Sequence, residues 1–410
     1  MQKILLFIAS LFYFNFLFSK NEIKSWQGIH ETPLSRLEQQ FADPPVEFAN
    51  HVIWGWEGKM DKKTICNDLD SIKKKGFRAV IFEAGYKLPF KYLSEEWFKA
   101  IRTGVVEAKK RDMKVWIIDE GKYPSGFAGG KFSQERPDLR MQALVIGDTI
   151  QIKRGEVMTN HKIAPEIISA VAVSTSGAPN RTVEINNGKI SFNAGLDDWK
   201  ILLVKSDFRT AVTRAVNNPN GGKDATNSLC DYLNPVAVQQ FIDWTHKQYK
   251  KYLGKELGTT VLGFRGDEPD YAHLPWTPSI VQTFKDTKGY DPTPYLASFF
   301  TASPTIQEQR VKADYWDVWS SLFATHFFKL QADWCAANGV AHITHLNKEH
   351  EMPACVKAEG DYFRALSKVQ IPGVDAIWNQ IWPSTLNDFP KLASSVAHVY
   401  GKPRAFSESF

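Results

Sequence analysis

His51-Val52-Ile53-Trp54-Gly55-Trp56, then Asp61 to Lys75, then Phe77 to Phe82, is the stretch that decides the fold. The first run is short, continuous and apolar, which reads as a buried strand. The second places Ile65, Leu69 and Ile72 on one helical face and stops at Gly76. The third is another buried strand. Trp97, Ile101, Val105 and Ala108 stripe a further helix behind the capping candidate Ser94, and Lys114 to Ile118 reads as a third strand. Strands that alternate with helices predict a parallel sheet with helical crossovers.

Working outward, the rhythm breaks between 149 and 206. Short β-like runs such as Ile168 to Val173 and Ile201 to Val204 are separated there by turns such as Asn186-Asn187-Gly188, which predicts a small β-rich insertion. Alternation resumes at Asn234-Pro235, a cap followed by proline at the first helical position. Val261 to Phe264, His342 to His345, Val374 to Trp378 and Arg404 to Phe406 read as strands four to seven. A long helical stretch covers 306 to 337, and shorter ones cover Asp361 to Lys368 and Asn387 to Tyr400. The expected fold is α/β, a (β/α)8 TIM-like barrel. Its first part covers 44–148, the β-rich insertion 149–206 and its second part 207–410. The sequence stops in strand seven, so barrel closure is expected to be missing. Neither GxGxxG nor GxxxxGK[ST] occurs, which removes the best signatures of dinucleotide and nucleotide folds.

Composition bounds the function. In 410 residues, Lys+Arg 50 against Asp+Glu 45 leaves a net charge of +5, too thin for a nucleic-acid partner. At the N-terminus, Gln2 and Lys3 precede the apolar run Ile4 to Phe18, which breaks into Ser19-Lys20-Asn21-Glu22. That pattern describes a signal peptide over 1–19 and predicts export to the periplasm or exterior, with no membrane span beyond it. Cys66, Cys230, Cys335 and Cys355 are widely spaced with no CxxC pair, so burial is the expectation for each.

Barrel active sites lie at the C-terminal ends of strands. Those positions here are acidic and aromatic: Trp54, Trp56 and Glu57; Glu83; Asp119-Glu120; Asp267-Glu268-Pro269; Asn347, Glu349 and His350; Trp378, Asn379 and Gln380; and Glu408. Facing carboxylates can protonate a glycosidic oxygen and activate water or attack the anomeric carbon, while aromatic faces stack on sugar rings. Glu268 and Glu408 are the favoured catalytic pair. Asp267 beside Glu268 is expected to raise its pKa, and Pro269 to hold it extended. Trp54, Trp56, Glu83, Asp119, Glu120, Asp267, Asn347, His350, Trp378 and Asn379 are expected to bind substrate. The spacing of His345, Glu349 and His350 matches neither HExxH nor HxxEH, so a sugar subsite is preferred to zinc there. A non-catalytic glycan-binding protein and a metal-dependent hydrolase using the strand-five histidines are the rival classes.

Several segments go beyond composition. Trp54-Gly55-Trp56-Glu57-Gly58, with Ile65, Asp68-Leu69 and Gly76, resembles the opening of glycoside hydrolase family 106, whose known members are α-L-rhamnosidases. Asp119-Glu120-Gly121 with Pro124-Ser125-Gly126-Phe127-Ala128-Gly129-Gly130 resembles that family's "DE…PSG.AGG" signature. Asp231-Tyr232-Leu233-Asn234-Pro235, Gly266-Asp267-Glu268-Pro269, Pro372-Gly373-Val374-Asp375 and Ser407-Glu408 are similar to later landmarks, in the same order. The resemblance covers roughly residues 44 to 410. It implies an exported catalytic barrel acting on rhamnose-bearing glycans and a bound calcium. It also implies inversion, with Glu268 as acid and Glu408 or Glu349 as base, although a strand-four and strand-seven pair is more usual in retaining barrels.

Overall fold

The computed structural model describes residues 33–43, 48–210, 213–214, 223–224, 228–271, 274–377, 380–381 and 387–409. The segment 1–19 therefore lies outside the described residues. After an exposed helix α1 (Leu34–Ala42), the chain enters β1 (His51–Trp56), α2 (Lys62–Lys74), β2 (Ala79–Ala84), α3 (Glu95–Lys110) and β3 (Lys114–Ile118). Local chemistry fixes these boundaries. The Asp61 carboxylate accepts from Thr64 N–H at 2.9 Å, and Ser94 Oγ accepts from Trp97 N–H at 3.3 Å, so each helix starts on a side-chain cap. Ile65 and Leu69 of α2, and Trp97, Ile101 and Val105 of α3, are buried against the sheet with Val80, Phe82 and Trp56.

The antiparallel strands follow: β4 (Gln142–Ile152), β5 (Val157–Lys162), β6 (Ile167–Ser174), β7 (Arg181–Thr182), β8 (Lys189–Asn193) and β9 (Trp199–Phe208). Next come the short pair β10 (Thr213–Arg214) and β11 (Lys223–Asp224), then α4 (Pro235–Trp244), α5 (His246–Leu253), β12 (Val261–Gly266) and β13 (Pro275–Trp276). The last part holds α6 (Ile280–Lys288), α7 (Ile306–Phe323), α8 (Lys329–Ala337), β14 (Ala341–Thr344), α9 (Met352–Glu359), α10 (Tyr362–Leu366), β15 (Ile371–Asp375), α11 (Lys391–Val399) and β16 (Phe406–Glu408). A π-helical turn, Ala324–Phe328, joins α7 to α8 within the predicted long helix.

Seven strands form one sheet in the order β1-β2-β3-β12-β14-β15-β16, and every pairing is parallel. The sheet is curled. Ile81, Trp116, Ile118, Leu262, Ala341, Ile343 and Ile371 make one interior cluster, with Ile53 of β1 and Phe406 of β16 packed against it. The two outer strands also approach one another at their starts, where the Arg404 guanidinium lies 5.4 Å from the Phe48 ring. The result is an incompletely closed arc of parallel strands with helices outside it.

A second sheet, β13-β4-β9-β6-β7, is antiparallel. On one face Leu144, Val171, Leu202 and Val204 join the large core around Tyr315, Trp319 and Phe323. Ala170, Ala172, Ile201 and Leu203 of the same sheet pack with Ile190 and Phe192 of β8 on the other.

Two glycines mark where strands crowd. A Cβ on Gly373 would stand 2.1 Å from the Phe406 ring. The dipeptide Pro372-Gly373 is therefore strand interior, and strand six is Ile371–Asp375 rather than Val374 to Trp378. A Cβ on Gly263 would meet the Ala341 carbonyl oxygen at 1.9 Å and the Trp116 ring at 2.7 Å. Gly263→Ala is expected to cost about 1–3 kcal/mol through overpacking of β12 against β14. Chemical denaturation measures this, and an unchanged midpoint would show that the strands can spread.

Candidate active site

Beyond their apolar segments, the parallel strands turn polar together. On β12, Leu262 faces the interior and Phe264 packs outward, so Arg265 points inward and is almost wholly buried. Its Nη2 contacts Glu408 Oε2 directly and lies 3.4 Å from Asp267 Oδ1. His345, just past β14, completes the group. Its Nε2 is 3.2 Å from Glu408 Oε2 and 3.3 Å from Asp267 Oδ1, and its Nδ1 is 3.0 Å from the Leu346 carbonyl oxygen. Both ring nitrogens face acceptors, and a proton on each satisfies them. Burial pulls the imidazole pKa down, but Asp267, Glu349 and Glu408 together raise it well above its ordinary value. Arg265 Nη2, 3.0 Å from His345 Nε2, is then a neighbouring cation rather than a hydrogen-bond donor to it.

The carboxyls divide into two kinds. Burial pushes Glu408 up, but the bond to His345 and the charge of Arg265 overcome it and hold the group below the usual carboxylate range. Asp267 is held low in the same way, chiefly by Arg265 and His345 against burial. Glu268 goes the other way. Burial raises it most, His345 opposes that, and the nearby charges of Asp267, Asp375 and Glu349 each add a smaller upward push. Asp375 is raised by burial and by Glu408 and Glu349, while the charge of His345 and a hydrogen bond with Glu268 lower it. Glu268, Asp375 and His345 bring ligand atoms within 4.8 Å of one another, as do Asp267, Glu408 and His345. Glu268, whose pKa is driven up, and Glu408, whose pKa is held down, therefore flank one imidazole.

The loop after β3 is laced to this cluster. Ser125 Oγ donates to Asp119 Oδ1 at 2.6 Å and accepts from Asp267 N–H at 2.7 Å, while Ser125 N–H donates to the Asp267 carbonyl at 2.8 Å. Burial lifts Asp119 to about 7. Glu120 has a different task from the substrate contact expected of it. Its two oxygens accept the N–H groups of Gly121 at 2.7 Å, Phe127 at 2.9 Å and Gly129 at 2.8 Å, together with that of Ala128. The carboxylate is consumed in folding the Pro124–Gly130 loop. Glu83 stays near the cluster, paired with Lys122 at 3.0 Å.

Other predicted residues disperse. Trp56 is fully buried on the outer face of β1 against Trp97 and Phe82, with Trp54 edge-on to it at 5.4 Å. Both belong to the helix-packing side because Ile53, between Val52 and Trp54, points into the arc. Glu349 is buried, with Oε1 accepting Leu346 N–H at 2.8 Å and Oε2 lacking a hydrogen-bond partner. Asn347 Nδ2 donates to Tyr123 Oη at 2.9 Å, and exposed His350 lies 3.3 Å from Gln380 Nε2. Trp378 and Asn379 lie outside the described residues. Glu268 is not extended as Pro269 suggested: its φ is +36°, a conformation L-residues rarely hold.

Arg265, His345 as a central group, Asp375 and Glu359 were not among the expected site residues. Arg265 was detectable, as a charge at an inward position of an apolar strand. Asp375 was obscured by the misplacement of strand six. Glu359, buried in α9 with Oε1 accepting Asn347 N–H at 3.1 Å, leaves no periodic signal.

Calcium takes six to eight oxygen ligands. Each carboxylate group described above supplies two carboxylates and an imidazole nitrogen, with Arg265 already contacting Glu408. That donor set does not fit a calcium cage.

A parallel arc with carboxyls gathered at its strand ends is the arrangement that barrel glycoside hydrolases use. Residues 159–410 match glycoside hydrolase family 106, alpha-L-rhamnosidase, and the chain belongs to that family. The solved structure of a rhamnosidase from Novosphingobium sp. PP1Y superposes with a TM-score of 0.63 at 16% identity, covering 90% of this chain and 52% of that one. A curated protein of Formosa agariphila bearing the name beta-glucuronidase is 23% identical over 433 residues, covering 92% of this chain and 35% of its own length. The chain thus spans well under two thirds of either relative. Among the described residues, no helix is long and apolar enough to cross a membrane.

Proposed function

We propose that this chain forms the catalytic barrel of an exported glycoside hydrolase that cleaves α-L-rhamnosidic bonds in plant or bacterial polysaccharide. The curled sheet is read as seven strands of a (β/α)8 barrel. One observation carries the chemistry: Glu268 and Glu408 occupy the same strand-end cluster with pKa values driven in opposite directions. Glu268 enters the reaction protonated and gives its proton to the glycosidic oxygen as the bond breaks. Glu408 enters ionised, held by Arg265 and His345, and takes a proton from the attacking water. Family membership favours this inverting course, in which the two carboxyls exchange protonation states and reset through solvent. Glu349, with one oxygen committed to Leu346 N–H and little exposure, is the weaker base.

The test is hydrolysis of an α-L-rhamnoside disaccharide by the full chain, with the product anomer followed by NMR and a β-D-glucuronide run in parallel. Release of rhamnose with inverted configuration is the expected result. Retained configuration would recast Glu408 as nucleophile, and glucuronide cleavage alone would overturn the substrate assignment. Sugar binding with no release would favour the glycan-binding reading.

A further inference from the structure

On the side of β14 away from the carboxylate cluster, three side chains with metal-ligating chemistry converge. They are His246 at the start of α5, Cys335 in α8 and His342 on β14. One ligand atom of each lies within 4.8 Å of the others, and all three residues are at most 1% exposed. His342 faces the helices because its neighbour Ile343 belongs to the interior cluster.

Buried histidines normally have their nitrogens satisfied. Here His246 Nε2 and both ring nitrogens of His342 have no hydrogen-bond partner. The remaining nitrogen, His246 Nδ1, lies 2.9 Å from Thr245 Oγ1, and that hydroxyl donates its own proton to the Phe241 carbonyl at 2.7 Å. Thr245 Oγ1 can then only accept from Nδ1–H. This fixes the tautomer and leaves Nε2 with a bare lone pair, the arrangement of an imidazole oriented for a metal by a second hydrogen bond. The Phe264 ring at 4.2 Å and the Trp334 ring at 5.3 Å wall the histidine in.

We propose that His246, His342 and Cys335 form a site for one copper(I) ion. Two imidazoles and a thiol suit a soft, thiophilic cation and not calcium or magnesium. Charge selects among the soft cations. Binding forms one Cu–S and two Cu–N bonds and releases the Cys335 thiol proton to solvent, so the buried group remains neutral. Zinc(II) on the same ligands would leave a net positive charge in apolar packing, which is costly without a counter-ion.

The full chain, kept reduced, is loaded with copper(I) both when folded and during refolding, then challenged with a chromogenic copper(I) chelator. One ion per chain should be retained, with X-ray absorption showing one sulfur and two nitrogen neighbours. Cys335→Ser should lose the sulfur neighbour and the retained ion. Thr245→Val should keep the stoichiometry but weaken retention by roughly 10–100-fold. Circular dichroism of the metal-free variants separates a lost ligand from a lost fold, and the absorption spectrum of the unsubstituted chain does not depend on any variant folding. Failure to hold copper(I) under both loading conditions, or unchanged retention in folded Cys335→Ser, would overturn the site. Preference for zinc(II) over copper(I) would overturn the charge argument.

Discussion

Glu268→Gln is expected to lower kcat on an unactivated rhamnoside by roughly 100- to 10,000-fold, the range for removing a positioned general acid. KM should change little, since Gln keeps the size and polarity of the Glu268 side chain. The pH dependence gives a second reading. A folded-state pKa raised by burial and by three neighbouring carboxylates keeps Glu268 protonated through neutral pH. The alkaline limb of kcat/KM in the native protein should therefore lie above the ordinary carboxyl range. The acid limb should lie below it, because Arg265 and His345 hold Glu408 down. In the Gln variant the alkaline limb should vanish with the proton that caused it. Undiminished turnover, or a persistent alkaline limb, would take Glu268 out of the mechanism.

The second large effect is on stability. Arg265→Met removes the cation against which Asp267 and Glu408 are packed and leaves two mostly buried carboxylates facing each other with only His345 between them. Breaking such a group by removing one partner costs about 3–5 kcal/mol. Met matches the length of the stem, so little of the loss should come from packing. The sign with pH follows from the two depressed carboxyls. Their stabilisation is present above their unfolded pKa and is lost as pH falls through the folded value. The deficit of the variant should thus be largest near neutrality and shrink in acid, where both carboxyls protonate. Denaturant melts at neutral and acidic pH measure this; a deficit independent of pH would place the cost in packing instead.

How much of this was legible beforehand varied with the physics. The first three strands and two helices were readable because buried strands and amphipathic helices carry strong, different periods, and Ser94 announces itself as a side-chain cap. Strand six was misplaced because Gly373 serves the ring of Phe406, a contact across strands that leaves no local mark. Glu268 and Glu408 were visible as acidic ends of apolar runs. Trp54 and Trp56 misled because both faces of a parallel sheet are apolar, so a tryptophan gives no hint of whether it faces sugar or helix. Glu120 misled differently: a carboxylate that gathers backbone N–H groups looks, in sequence, like one that awaits a ligand. Arg265 needed the alternation of its strand to be followed one residue further, past the bulge that separates Val261 from Gly263 in the pairing with β3.

The pairing of β13 with β4 has a practical corollary for anyone seeking a smaller catalyst. Among the described residues, Pro275–Trp276 is the one strand of the second sheet that follows β12, and it comes soon after Glu268 in the chain. Excising the antiparallel sheet as a dispensable accessory would remove the strand on which β13, seven residues after Glu268, is paired. A smaller catalyst would have to keep β4, or replace what it offers to β13.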